Sequence, residues 1–117
     1  MKQTKHKVLA TIAIVFGVIV IIQCKKTEIG TPGENEIFLL YKLFNPSSLT
    51  VAKGTTVKFS NKDNANHSAT SSGGLFDSGK IESDGSYSYT FNTPGTFNVF
   101  CKYHQSNTQE QGYIVVQ

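Results

Sequence analysis

Ser86-Tyr87-Ser88-Tyr89-Thr90-Phe91-Asn92-Thr93-Pro94-Gly95-Thr96-Phe97-Asn98-Val99-Phe100-Cys101-Lys102-Tyr103-His104 is the stretch from which the fold can be read. Tyr87, Tyr89 and Phe91 alternate with Ser86, Ser88 and Thr90; after Pro94-Gly95, Phe97, Val99 and Cys101 alternate with Thr96, Asn98 and Phe100. A period of two is the period of a strand with one face buried. The Pro-Gly pair between the two runs is a turn signal. The stretch therefore reads as two strands, and the second carries its cysteine on the face that should be the core.

The same period recurs on either side. Ile37, Leu39, Tyr41 and Leu43 can share one face; Leu49 with Val51, Val57 with Phe59, and Ile114 with Val116 repeat the pattern. Asn45-Pro46, Lys53-Gly54, Ser72-Gly73-Gly74 and Asp84-Gly85 punctuate these runs. No segment sustains a 3.6-residue apolar period over a helix length. Short strands with regular turns predict an all-β domain, an antiparallel sandwich or barrel, over residues 36–117. A segment of this size can bury one modest core, drawn from its phenylalanines, tyrosines and aliphatics.

The chain before it is of another kind. Lys2, Lys5 and Lys7 precede an apolar run from Val8 to Ile22, the form of an export signal. Fifteen residues are short for a bilayer span, which needs about 20. Cys24 follows, and Gln23-Cys24-Lys25-Lys26 resembles a bacterial lipoprotein signal, with Gln23 where such signals carry a small residue. Residues 1–23 are thus expected to be an export signal or membrane anchor, with Cys24 lipidated, the apolar run retained, or the segment cleaved off. All three place the domain outside the cytoplasmic membrane, periplasmic or at the cell surface. Residues 24–35, rich in charged and turn-forming residues, read as a tether. The net charge of +3 resides before residue 8; from residue 24 on, eight lysines balance eight acids. With no arginine and no basic stripe, nucleic acid is not an expected partner.

Three side chains of the domain carry chemistry: His67, Cys101 and His104. Cys101 ends a strand facing inward, and His104 lies three residues on, where a tight turn can bring it back to the same point. His67 sits in the loop Asp63-Asn64-Ala65-Asn66-His67-Ser68 after the Val57–Phe59 strand. Loops of different strands meet at one end of a sandwich, so the three can converge. A thiolate with two imidazoles suits copper, zinc or iron. A lone buried cysteine is more often inert. A Cys24–Cys101 disulfide is opposed by the inward direction of Cys101, and structural zinc sites use more cysteines.

Four segments, in order, resemble the cupredoxins, the blue-copper proteins that include plastocyanin and amicyanin. They are Phe59-x-Asn61-x-Asp63-x-x-x-His67; Leu75-Phe76-Asp77-Ser78-Gly79; Tyr89-x-Phe91-x-x-Pro94-Gly95-Thr96-Phe97-x-x-x-Cys101-x-x-His104; and Gly112-x-Ile114-x-Val116. The resemblance spans about residues 37–117. It implies a Greek-key β-sandwich or barrel, one type 1 copper ion held by His67, Cys101 and His104, a Ser68 backbone N–H directed at the Cys101 sulfur, and electron exit over His104. The implied activity is one-electron transfer, with redox proteins docking transiently near His104 to an otherwise monomeric domain.

Two departures matter. Tyr103 stands where such proteins often have proline, which leaves a backbone N–H free to donate. The axial methionine is missing, since Met1 is the chain's one methionine. Counting forward from His104 selects Gln109 as its replacement, and counting back from Gly112 selects Glu110. Gln109 is preferred as the fourth donor because an amide carbonyl is a weak axial ligand, as in stellacyanin-like members. Catalysis is not expected: copper enzymes of this fold need further histidines, and the remaining one is His6. Copper storage or delivery without redox shuttling is the alternative.

Overall fold

The computed structural model describes residues 28–117. The expected signal or anchor at 1–23, with Met1 and His6, lies outside the described residues, as does Cys24. Among the described residues no helix is long and apolar enough to cross a membrane.

Among the described residues eight strands form two sheets. They are β1 (Glu36–Leu40), β2 (Leu43–Asn45), β3 (Ser48–Val51), β4 (Thr55–Asn61), β5 (Thr70–Ser71), β6 (Ser86–Phe91), β7 (Gly95–Phe100) and β8 (Gln111–Val116). One sheet has the order β2-β1-β4-β6 and the other β3-β8-β7-β5. β1 runs parallel to β4 and β3 parallel to β8, while the remaining pairs are antiparallel. The only helical piece among the described residues is a 3-10 turn, Lys102–His104. The expected all-β sandwich is found, but it is not wholly antiparallel, because β1–β4 and β3–β8 are joined across the fold and not by hairpins.

The core lies between the sheets. Ile37, Leu39, Phe44, Val57, Phe59, Phe91, Val99 and Ile114 are almost wholly buried there, and Cys101 joins them. Alternation placed most of these correctly because each strand has one dry face. Phe76 stacks on Tyr89 at 4.4 Å and meets Phe59, Tyr87 and Phe91 at 5.7–6.1 Å between ring centroids.

At β1 the simple alternation fails. The strand ends at Leu40, and Tyr41 and Lys42 form a two-residue hairpin turn, with Leu40 opposite Leu43. Lys42 takes a left-handed φ of 64°. The turn resets the register, so Tyr41 and Leu43 are exposed and Phe44, paired with Leu39, points inward. On β8, Gly112 is set by a close approach: a Cβ there would lie 3.1 Å from the Ser47 carbonyl oxygen.

The register puts the C-terminal ends of β1, β4 and β7 and the start of β8 at one end of the sandwich. The Lys53–Gly54 and Pro94–Gly95 turns mark the other end.

Candidate metal centre

β4 ends at Asn61, whose buried side chain organises the loop beyond. Its Nδ2 donates to the carbonyls of Ala65 (2.8 Å) and Ile81 (2.9 Å), and its Oδ1 accepts the Asp63 N–H at 2.9 Å. The chain then forms a bridge in which His67 and Ile81 exchange backbone hydrogen bonds. His67 is thereby held with its ring fully buried. Its Nε2 donates to Asp63 Oδ2 at 2.8 Å, so the neutral ring keeps its lone pair on Nδ1. Nδ1 has no hydrogen-bond partner.

Cys101 follows β7 and is 1% exposed. The β7–β8 ladder continues to it, because its N–H donates to the Glu110 carbonyl at 3.0 Å. The backbone N–H groups of Ser68 and Tyr103 are directed at the sulfur. The Ser68 N–H is the group the resemblance implied, and the Tyr103 N–H is one a proline would lack. A further stitch joins the two loops: the Lys102 N–H donates to Ser68 Oγ at 2.9 Å. The 3-10 turn then brings His104 Nδ1 to 3.5 Å from the Cys101 sulfur.

The fourth group is Glu110, only 3% exposed. Its Oε2 lies 2.7 Å from His104 Nδ1 and 3.6 Å from His67 Nδ1. Its Oε1 accepts the Lys42 N–H at 2.9 Å, with Asn107 Nδ2 at 3.5 Å. One ligand atom each from His67, Cys101, His104 and Glu110 lies within 4.8 Å of all the others.

The structure does not bring Gln109, the preferred fourth donor, into this cluster; Glu110, the other candidate, stands there. Gln109 is exposed, and its N–H is taken up by Asn107 Oδ1 at 3.1 Å. The reason is the strand period: Val116, Ile114, Gly112 and Glu110 share the inward face of β8 and its first extension, and Gln109 falls on the other side. Sequence reasoning also missed Asp63, Lys42 and Asn107 as groups that orient the donors. The Asp63–His67 spacing was visible. The backbone contact from Lys42, 68 residues from Glu110, was not.

The charges fit a cation. Burial opposes charge on the His67 ring, yet its approach to the Cys101 sulfur, its bond to Asp63 and the nearby Glu110 charge outweigh this and raise its pKa above the ordinary value. Burial likewise opposes the Cys101 thiolate, but His67, the Ser68 and Tyr103 N–H groups and His104 outweigh it and hold the thiol below its usual range. Partial burial would raise the Asp63 carboxyl; hydrogen bonds from His67 and the Asn64 N–H prevail and lower it. A wholly buried imidazole nitrogen without a partner, beside a thiol inclined to ionise and a buried carboxylate, fits a metal ion as the group that would satisfy all three. Thiolate, imidazoles and carboxylate together suit a divalent transition metal.

The family of cupredoxin-like domains matches residues 11–116. No curated protein matches the chain. Among solved structures, the chain is similar to a purple cupredoxin from Nitrosopumilus maritimus, at 22% identity and TM-score 0.63, covering 70% of this chain and 98% of that one. It is similar to an oxidized amicyanin mutant at 22% identity and TM-score 0.65, covering 75% of this chain and 86% of the other. It also resembles part of a copper-containing nitrite reductase from Thermus scotoductus SA-01, at 25% identity and TM-score 0.63, covering 81% of this chain but 24% of that one.

Proposed function

The chain belongs to the family of cupredoxin-like domains, and on that premise we propose that it is a one-electron carrier whose copper ion is held by His67, Cys101, His104 and Glu110. The fold alone does not carry this reading, since an enzyme shares it. What carries it is the convergence of the four donors around the unpartnered, fully buried Nδ1 of His67.

When bound, copper supplies the chemistry by alternating between Cu(I) and Cu(II) at a thiolate-imidazole centre. The protein supplies rigidity. His67 is pinned through Asp63, Cys101 through the β7–β8 ladder and the N–H groups at its sulfur, and Glu110 through the Lys42 N–H. Donors fixed by packing move little between two charge states, which favours fast electron exchange. The side chain of His104 is 37% exposed and gives the cluster its contact with solvent. Partner redox proteins dock weakly there, over a small transient interface. The domain works as an exported monomer, held at the membrane through its N-terminal segment.

The deciding experiment is a visible and EPR spectrum of the copper-loaded chain. Intense thiolate-to-copper charge transfer is expected, and Cys101→Ser should remove it along with tight copper binding. A parent protein without that absorption would sink the proposal. Slow electron self-exchange with an intact spectrum would favour storage or delivery.

A smaller effect is expected at Asp63. The change to Asn removes the carboxylate that sets the His67 tautomer, and copper affinity should fall by roughly 10–100-fold. A competition titration against a chelator measures it, and unchanged affinity would mean that His67 needs no such partner.

A further inference from the structure

We propose that the metal-bearing end of the sandwich faces the bilayer that holds the N-terminal apolar run, with its exposed tyrosines and lysines against the lipid headgroups. This rests on the anchor reading of residues 1–24 and deepens the proposed function by fixing where the electrons are exchanged.

The first observation is the path of the chain before β1. A tight turn reverses it: the Glu36 N–H donates to the Gly33 carbonyl at 3.2 Å, and the Gly33 N–H to Glu36 Oε2 at 3.0 Å. The segment preceding the turn therefore runs back along the sheet. Glu28 and Ile29 end up lining a groove with Lys62, Asp63, Asn64 and Asp84. Asp63 is the carboxylate bound to His67. The chain thus leaves the domain beside the metal centre, not at the Lys53–Gly54 end.

Reach makes this decisive. Four residue steps separate Cys24 from Glu28 and six separate Ile22 from it. Fully extended, these span at most ~14 Å and ~22 Å. The seven residues of β4 alone are about 23 Å long. With Cys24 lipidated the tether is shorter than β4 and keeps the metal-bearing end close to the lipid; with the apolar run retained it is about as long as β4, and the exit beside the metal centre makes that end the nearer one.

The second observation is the chemistry of that end. Tyr41 is 67%, Ile29 54% and Tyr103 46% exposed. Lys42 lies over the Tyr41 ring and Lys102 over the Tyr103 ring, at 5.0 and 5.8 Å. Tyr41, Tyr103 and His104 line one shallow groove. Tyrosines and lysines are the side chains that sit at headgroup level, where a ring and its hydroxyl meet different media and an ammonium meets phosphate. Asp77 pairs with Lys102 at 2.8 Å, so proximity and the tyrosines contribute more than net charge. The exposed part of His104 then opens toward the membrane surface, and its redox partner is carried by that same membrane.

The chain contains no tryptophan, so a single introduced one reports unambiguously. Tyr41→Trp and Tyr103→Trp place it at the metal-bearing end; Lys53→Trp and Thr93→Trp place it at the far end. Each full-length variant is reconstituted in vesicles of phosphatidylethanolamine and phosphatidylglycerol, with and without headgroup spin-labelled lipid. Quenching at positions 41 and 103 is expected to exceed that at 53 and 93 several-fold. Equal or reversed quenching in protein that sediments with the vesicles overturns the orientation. Protein that fails to sediment with them overturns the anchor reading and the orientation with it. The copper spectrum of the same samples reports separately on the proposed function.

Discussion

Glu110→Gln is expected to act as the loss of a metal donor, giving a copper centre indistinguishable from that of Glu110→Leu. The reason lies in the second carboxylate oxygen. Oε1 accepts the Lys42 N–H at 2.9 Å, and Oε2 faces the two imidazoles. A carboxylate can serve both sides because both oxygens accept. A glutamine at this position has one oxygen, and the Lys42 N–H claims it. The amide nitrogen is then turned to the cluster, where it has no lone pair to donate. The flipped amide would leave a buried N–H without an acceptor, at a cost of about 1–3 kcal/mol, which a weak bond from an amide oxygen to the metal would not offset. Both variants should bind Cu(II) at least ~10-fold less tightly and show a higher reduction potential, because a hard anionic donor favours the oxidised ion. Redox titration and EPR of the two variants beside the parent provide the check. A Gln variant that keeps the parent's potential while the Leu variant does not would show the amide oxygen reaching the ion.

The second large effect concerns stability. Phe76 is 8% exposed and its ring touches Phe59, Tyr87, Tyr89 and Phe91. Phe76→Ala should destabilise the domain by about 3–5 kcal/mol, a large part of the ~5–15 kcal/mol that holds a domain together. The thermal midpoint should fall by more than about 10 °C. The neighbouring Leu75 is exposed, and Leu75→Ala should change stability by no more than about 0.5 kcal/mol. Thermal unfolding followed by circular dichroism separates the two. A Phe76 variant as stable as the Leu75 one would mean that the aromatic cluster packs otherwise.

Much of this was legible from residue order. Period-two alternation placed Phe97, Val99 and Cys101 on the inward face, and Cys101 lies there almost wholly buried. The loop positions of His67 and His104 matched an end of a sandwich where strands converge. Alternation misled where a turn resets the register: Tyr41 and Leu43 continue the pattern on paper, but the left-handed Lys42 ends it. Counting loop length left both Gln109 and Glu110 open, and donor chemistry favoured Gln109, whereas the structure places Glu110 in the cluster. The inward face of β8, followed back from Val116, leads to Glu110. The two-residue strand β5 and the Lys42 N–H bond arise from pairing across the fold, and no local pattern announces them.

The unequal exposure of the two imidazoles bears on how the ion arrives and departs. His67 is sealed in, as are the sulfur and the carboxylate, whereas His104 stands on a short turn at the surface with 37% of its side chain in water. For the proposed copper ion, His104 would be the donor nearest to water on the way in and out. Substitutions that loosen that turn should speed release more than loading, because they free the one donor that reaches the surface.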